Sequence, residues 1–281
     1  FVVSSDSIVS TLWSNNQTRL TSYFTSSTAI PNNAYLPVYS QNPNTIATAL
    51  PQFSIAYGQV NGSGSAPLNA AIAGLSPTRI TYGQFRTLIN GDENTNINFG
   101  TGNTNSPDFY VININRANYK EKLFVGTFNL ALSGSEGTIQ LTDNSKNITT
   151  LTYCDAGRVF DIVSGSNGSA TTSTPISSSA TAGYTNSGSY GKFLPDVGLI
   201  VLNPRALSLS SSFGGIQFSI PSASTSNNLS LINSLLFNSM KNASAIGFSL
   251  NSEETISSDY IFVRIKNSDF NYTTNLSLIH I

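Results

Sequence analysis

Bond-making chemistry in this sequence has to rest on carboxylates. There is one histidine, His280, and one cysteine, Cys154. Neither a His-activated nucleophile nor a zinc cluster of Cys and His can be built around them. No glycine-rich phosphate loop follows a strand, and Gly62-Ser63-Gly64 reads as a plain turn. Asp92 and Glu93 adjoin in Asn90-Gly91-Asp92-Glu93-Asn94. Such oxygens could ligate calcium or supply half of a glycosidase pair. Asn, Gly and Asp are turn formers, so a polar turn is the plainer reading. Glu253-Glu254 precedes an apolar run and reads as a solvated loop. The expectation is a protein that is not an enzyme and carries no cofactor and no metal.

The densest charge runs from Arg116 through Ala117, Asn118 and Tyr119 to Lys120, Glu121 and Lys122. It stands out because charged residues make up only 10% of the chain, against roughly 25% in an average soluble domain. Arg116, Lys120, Glu121 and Lys122 are therefore the candidate intersubunit contact. Arginine forms paired hydrogen bonds with a neighbour's carboxylate. The alternative is a solvated strand end. The segment is too short to line a nucleic-acid groove. The net charge of -1 gives no long-range attraction to nucleic acid or an anionic membrane. Apolar runs such as 197–202 are too short to span a bilayer.

The elements that must position these groups read mainly as strands. Hydrophobic residues make up 39%, enough for a real core. Residues 4–24 suggest a short helix. Ser5 or Asp6 would cap it, Ile8, Val9, Leu12 and Trp13 would form its apolar face, and Asn15-Asn16 would end it. From 31 to 151 the pattern alternates, as in Phe53, Ile55, Tyr57; Tyr110, Ile112, Ile114; and Phe128, Leu130, Leu132. Residues 154–163 read as one further strand. Residues 164–191 are nearly all Ser, Thr, Gly and Ala and read as a polar loop or linker. A strand follows at 197–202. Residues 228–241 form the strongest helical pattern, with Leu229, Ile232, Leu235, Leu236 and Met240 on one face and Asn227 or Asn228 as cap. Residues 259–266 alternate and read as a strand buried on at least one face.

The expected class is mainly β, with antiparallel sheets or a sandwich and a few short helices. The expected organisation is a β-rich region 1–163, a polar segment 164–191, and a second β region 192–275 containing the helix. A six-residue tail, 276–281, follows.

Several blocks together resemble a known family. They include Thr11-Leu-Trp-Ser-Asn-Asn16, Tyr35-Leu-Pro-Val-Tyr39, Phe53-Ser-Ile-Ala-Tyr-Gly58 and Gly62-Ser-Gly-Ser-Ala-Pro67. Tyr82-Gly-Gln-Phe-Arg-Thr-Leu-Ile89 and Asn115-Arg-Ala-Asn-Tyr-Lys-Glu-Lys-Leu123 follow. The series ends with Ala156-Gly-Arg-Val-Phe160, Pro195-Asp-Val-Gly-Leu-Ile-Val-Leu202 and Phe262-Val-Arg-Ile-Lys-Asn-Ser-Asp-Phe-Asn-Tyr272. This chain resembles a virion structural protein of T-even-like contractile-tailed phages, of the marine cyanobacterial type, over nearly its whole length up to Asn275. The resemblance implies a tail, baseplate or capsid-associated part of the extracellular particle, assembled in the host cytoplasm. Its partners would be other virion proteins and copies of itself. It carries no catalytic residues to map across. The competing readings are a receptor-binding or carbohydrate-active tail protein, and a bacterial surface adhesin.

The tail Leu276-Ser-Leu-Ile-His-Ile281 matches the translation of a transposon end used in preparing sequencing libraries. Members of the resembled family continue with Pro where this chain has Leu276. The tail is therefore expected to be a sequencing artefact. Long-read sequencing of the source DNA is expected to replace these six codons. Finding the same codons inside a longer gene overturns that expectation.

Overall fold

The computed structural model describes residues 2–27, 34–69, 72, 75–100, 105–135, 137–171, 182–185, 187–208 and 229–264. In chain order the elements begin with β1 (Val2–Thr11), β2 (Arg19–Leu20), β3 (Leu36–Tyr39) and β4 (Pro51–Gln59), then helix α1 (Pro77–Asn90). Strands β5 (Ile97–Asn98), β6 (Asn105–Ser106), β7 (Asp108–Ile114), β8 (Lys122–Leu123), β9 (Asn129–Ser133) and β10 (Thr138–Asp143) follow. Next come β11 (Thr152–Cys154), β12 (Gly157–Ser166), β13 (Ser169–Ala170), β14 (Gly191–Leu194) and β15 (Leu199–Leu202). The short helix α2 (Pro204–Leu207), the longer α3 (Leu229–Asn242), β16 (Phe248–Ser249) and β17 (Asn251–Tyr260) complete the series. The class is mainly antiparallel β with few helices.

The chain forms two units, one of residues 9–253 and one of residues 1–8 with 254–281. The larger is built on a sheet in the order β2-β16-β9-β10-β12-β14-β15-β7-β4-β3. Its two ends meet. Past β2 the chain reaches Phe24, which exchanges two 2.9 Å backbone hydrogen bonds with Tyr39 at the end of β3. Side chains from the two ends also touch. Phe53 of β4 and Phe248 of β16 have ring centroids 5.8 Å apart, and Trp13 lies 4.9 Å from Phe248. The sheet is therefore curled until β16 and β4, each one strand in from an end, share one aromatic cluster.

Alternation along each strand sorts side chains between two cores. Tyr110, Ile112 and Ile114 of β7 face the first, together with Phe193 and Ile200. Phe109, Val111, Leu199 and Val201 face the second. The strands of the middle are buried on both sides, which is why they read as near-continuous apolar runs. Helix α3 fills the first core with Leu229, Ile232, Leu236 and Met240. Its Ser239 hydroxyl donates to the Ser133 carbonyl of β9 at 2.9 Å, and the Tyr110 hydroxyl donates to the Ile232 carbonyl at 3.3 Å. Helix α1 covers the second core with Tyr82, Phe85, Leu88 and Ile89. Pro77 opens it, where a missing N–H costs nothing, and Gly91 ends it at φ 65°, its N–H donating to the Thr87 carbonyl. Close packing on β4 needs Gly58, where a Cβ would lie 3.0 Å from the Tyr82 backbone nitrogen.

Several expectations need correction. Residues 2–11 are strand, not helix, and only a 3-10 turn at Ser14–Asn16 follows. The apolar spacing of Ile8, Val9, Leu12 and Trp13 suits either period; Leu12 and Trp13 enter the core while Ile8 and Val9 stay exposed. Helix α1 lies in a stretch expected to be mostly strand. Residues 154–163 are not one strand but a hairpin, β11 turning into β12 at Cys154 and Gly157. The stretch 164–191 is partly structured. Strand β12 runs to Ser166 and pairs with β13, and Ser189 and Tyr190 are buried; residues 172–181 and 186 of the stretch lie outside the described residues. Strands from both sides of it share one sheet, since β14 pairs with β12 and β15 with β7. The last strand starts earlier than expected, at Asn251, includes Glu253 and Glu254, and ends at Tyr260. Ile261, Phe262 and Val263 are exposed rather than buried. The helix expected at 228–241 is found at Leu229–Asn242. Its expected caps, and the tail 276–281 with His280, lie outside the described residues.

Phe248 touches Trp13, Phe53 and Phe128, so it joins both ends of the sheet. Phe248→Ala is expected to cost about 3–5 kcal/mol, read by urea denaturation. A cost under about 1 kcal/mol would mean that the ends do not depend on this contact.

Candidate functional site

The charged segment singled out by the sequence is held by a scaffold of turns. Strand β7 ends at Ile114, and the Asn115 side chain then accepts the Ala117 N–H at 3.2 Å and donates to the Pro51 carbonyl at 2.9 Å. The buried Gln52 anchors the same turn, its carbonyl accepting from Asn115 N–H at 3.0 Å and from the Asn118 amide at 3.2 Å. Arg116 folds back over Tyr119, its guanidinium carbon 4.6 Å from the ring centroid, and donates to the Tyr119 carbonyl at 2.7 Å. Tyr119 packs on the turn between β14 and β15, where a Cβ on Gly198 would lie 2.7 Å from its hydroxyl oxygen. Lys122 lies 3.8 Å from Glu253 and 3.9 Å from Glu121. Arg116, Lys120 and Glu121 are exposed, and Lys122 is half-buried.

A second ionic pair fixes the turn that supports Tyr119. Arg158 donates through Nη2 to Asp196 Oδ1 at 2.6 Å and through Nε at 3.1 Å, while its backbone N–H donates to Oδ2 at 2.8 Å. Gly157 makes room: at φ 106° it brings the chain so near that a Cβ would lie 2.5 Å from Asp196 Oδ2. Burial alone would raise the Asp196 pKa. The hydrogen bonds and charge of Arg158, with Lys122 nearby, outweigh it and hold the carboxyl below its ordinary range. Neither Arg158 nor Asp196 was singled out by the sequence. Their signal, a charged residue at the Gly157 hairpin and another in Pro195-Asp196-Val197-Gly198, shows only once the two turns are in space.

Beside this end lies a cleft on the outer face of the sheet. One lobe, of about 490 Å³, is lined by Tyr35, Pro37, Tyr39, Ser54, Arg116 and Tyr119 among others. The other, of about 560 Å³, runs along α1 and is lined by Ala56, Ile80, Thr81, Gln84, Phe85 and Val111 among others. Tyr35, Ser54 and Asn113 border both. Register explains the hollow. Pro37, Ser54 and Asn113 form one row across β3, β4 and β7, and Ala56 sits opposite Val111 in the next. Ser54 and Ala56 are too small to fill the space that α1 leaves open.

The other carboxylates have structural roles. Asp92 accepts from the N–H groups of Asn94 at 2.9 Å and Thr95 at 3.0 Å, and from the Thr95 hydroxyl. These bonds keep its carboxyl below the usual range, as in a self-capped turn. Asp108 is buried and accepts from the Tyr57 hydroxyl at 2.9 Å; burial pushes its pKa up despite that bond. Asp143 is likewise raised by burial, and accepts from the Gly126 N–H. Among the described residues no three His, Cys, Asp or Glu side chains gather as a metal site. No helix among them is long and apolar enough to cross a membrane. Comparison with protein-family models, with curated proteins and with solved structures gives no match.

The Arg158–Asp196 contribution carries a pH signature. With the folded-state pKa of Asp196 lowered, that contribution is complete above the unfolded carboxyl value of about 3.9 and is lost as pH falls through the folded one. Both groups are partly open to solvent, so Asp196→Ala is expected to cost only about 1 kcal/mol at neutral pH. The gap between variant and parent should close below about pH 4. Urea denaturation at several pH values checks this; a gap that widens in acid contradicts it.

Proposed function

We propose that this chain is a non-enzymatic structural component of a phage particle, in its tail, baseplate or capsid-associated parts. It works by contacts to copies of itself and to neighbouring virion proteins. The family resemblance of the motif blocks supports the assignment to a particle. The observation that carries the assembly role is the strand pair at the chain ends. Strand β1 lies beside β17, and β17 meets β8 only through Ser252 and Glu253. Residues 5–10 are all exposed, and so are 255–257 and 259–264. These include Ile8, Val9, Ile256, Tyr260, Ile261 and Phe262.

A two-stranded ribbon with bare faces is marginal by itself in water. Its apolar side chains, exposed among the described residues, are what another protein chain would cover. A stable cover buries on the order of 1,200 Å² or more in all. Arg116, Lys120 and Glu121, exposed charges of the larger unit, would align a contact of their own with a neighbouring subunit, because rim charges steer and align more than they bind.

The solution mass of the full chain is expected to rise with concentration from about 1 to 100 µM, within the range typical of specific association. Phe262→Asp should shift it towards monomer without moving the main unfolding transition. A chain that stays monomeric throughout and hydrolyses a polysaccharide overturns the reading.

A further inference from the structure

We propose that the cleft between α1 and the outer face of β3, β4 and β7 binds a neutral glycan chain. This goes beyond the assembly reading and stands whether or not that reading holds. The floor of the cleft is the face of a sheet whose backbone is already used. Strand β4 is hydrogen-bonded to β3 on one side and β7 on the other. An extended peptide that adds to a sheet needs an open edge, and β4 and β7, which form most of this floor, have neighbours on both sides. Recognition here belongs to side chains.

Those side chains are of two kinds. Tyr35 presents a ring with 45% of its surface exposed, flanked by Ile80 and Phe85. Beside it stand the hydroxyls of Ser54 and Thr81 and the amides of Gln84 and Asn113. Among the described residues none of these four polar side chains has a hydrogen-bond partner. A purely apolar ligand would desolvate them and leave them unpaired, at a cost for each. A pyranose ring meets both demands, with a C–H face for an aromatic ring and hydroxyls for amides around its rim.

Charge narrows the class. Among the described residues Arg116 is the one charged side chain lining either lobe, and it is turned over Tyr119. A phosphate-rich or nucleic-acid ligand would call for several cations. The two lobes share Tyr35, Ser54 and Asn113, so consecutive sugars could occupy both with Tyr35 between them.

Affinity electrophoresis of the full chain tests this, in gels cast with dextran, mannan or xylan, and with heparin as the charged alternative. The expected result is retardation by at least one neutral polysaccharide. Tyr35→Ala should weaken it about tenfold, the upper end for loss of an aromatic contact, and Asn113→Ala should weaken it less. Tyr153→Ala, exposed and outside the cleft, should leave it unchanged. Circular dichroism melting of each variant guards against misfolding, since Tyr35 and Asn113 are both surface residues. No retardation by any neutral polysaccharide overturns the proposal. So does retardation by heparin alone, or an equal loss in Tyr153→Ala.

Discussion

Closure of the sheet is the constraint on which the rest of this structure depends. An open sheet of ten strands leaves two long edges of unpaired N–H and C=O groups. Here Phe24 and Tyr39 link the end strands through their backbones, and Trp13, Phe53 and Phe248 link them through side chains. Once the sheet is curled, its concave side can be filled only by an element that presents apolar groups to several strands at once. Helix α3 does so, with Ile232, Leu236 and Met240 fully buried. Burying three such side chains contributes roughly 1.5–3 kcal/mol each before entropy is counted.

The convex side follows from the same curl. A single helix cannot cover it all. Helix α1 seats against Gly58 and covers Phe109 and Val111, and the row through Pro37, Ser54 and Asn113 stays open. At the far end of that row, the Arg158–Asp196 pair pins the turn that supports Tyr119 and Arg116. In a chain with so little charge, ionic groups are spent where two loops must hold one another. Lys122 with Glu253 and Lys192 with Asp161 are instead cross-strand pairs, between β8 and β17 and between β14 and β12.

What the sequence made legible was periodicity inside the sheet. Phe53, Ile55, Tyr57 and Tyr110, Ile112, Ile114 alternate because one face of their strands meets α3, and that signal is local. Helix α3 was legible for the same reason. Helix α1 was missed although its ends carried signals, Ser76-Pro77 at the start and Gly91 after the finish. Its interior, with Gly83 and several β-branched residues, has weak helical propensity, and packing of Tyr82 and Phe85 on the sheet overrides that. Residues 2–11 went the other way, because their few apolar residues do not fix the period and β17, some 250 residues away, selects the strand. The charged segment was visible as composition. The cleft was not, because it is made of small residues, Ser54 and Ala56, whose meaning comes from what fails to cover them.

The two surfaces left over differ in physical kind, and that difference separates their roles. On the β1–β17 ribbon, β17 pairs with β8 at Ser252 and Glu253, and the exposed side chains further along include Ile256, Tyr260 and Phe262. In the proposed assembly role both features would be met together by another polypeptide, which supplies backbone groups and apolar surface at once. In the cleft β4 and β7 are paired on both sides, and what remains on their outer face are hydroxyls and amides around one open ring. A polypeptide would satisfy few of them, whereas a polyhydroxylated ligand matches them in kind. Position in the sheet decides which surface is which: β4 and β7 have neighbours on both sides, so recognition on their outer face rests on side chains, while β17 meets β8 only at Ser252 and Glu253.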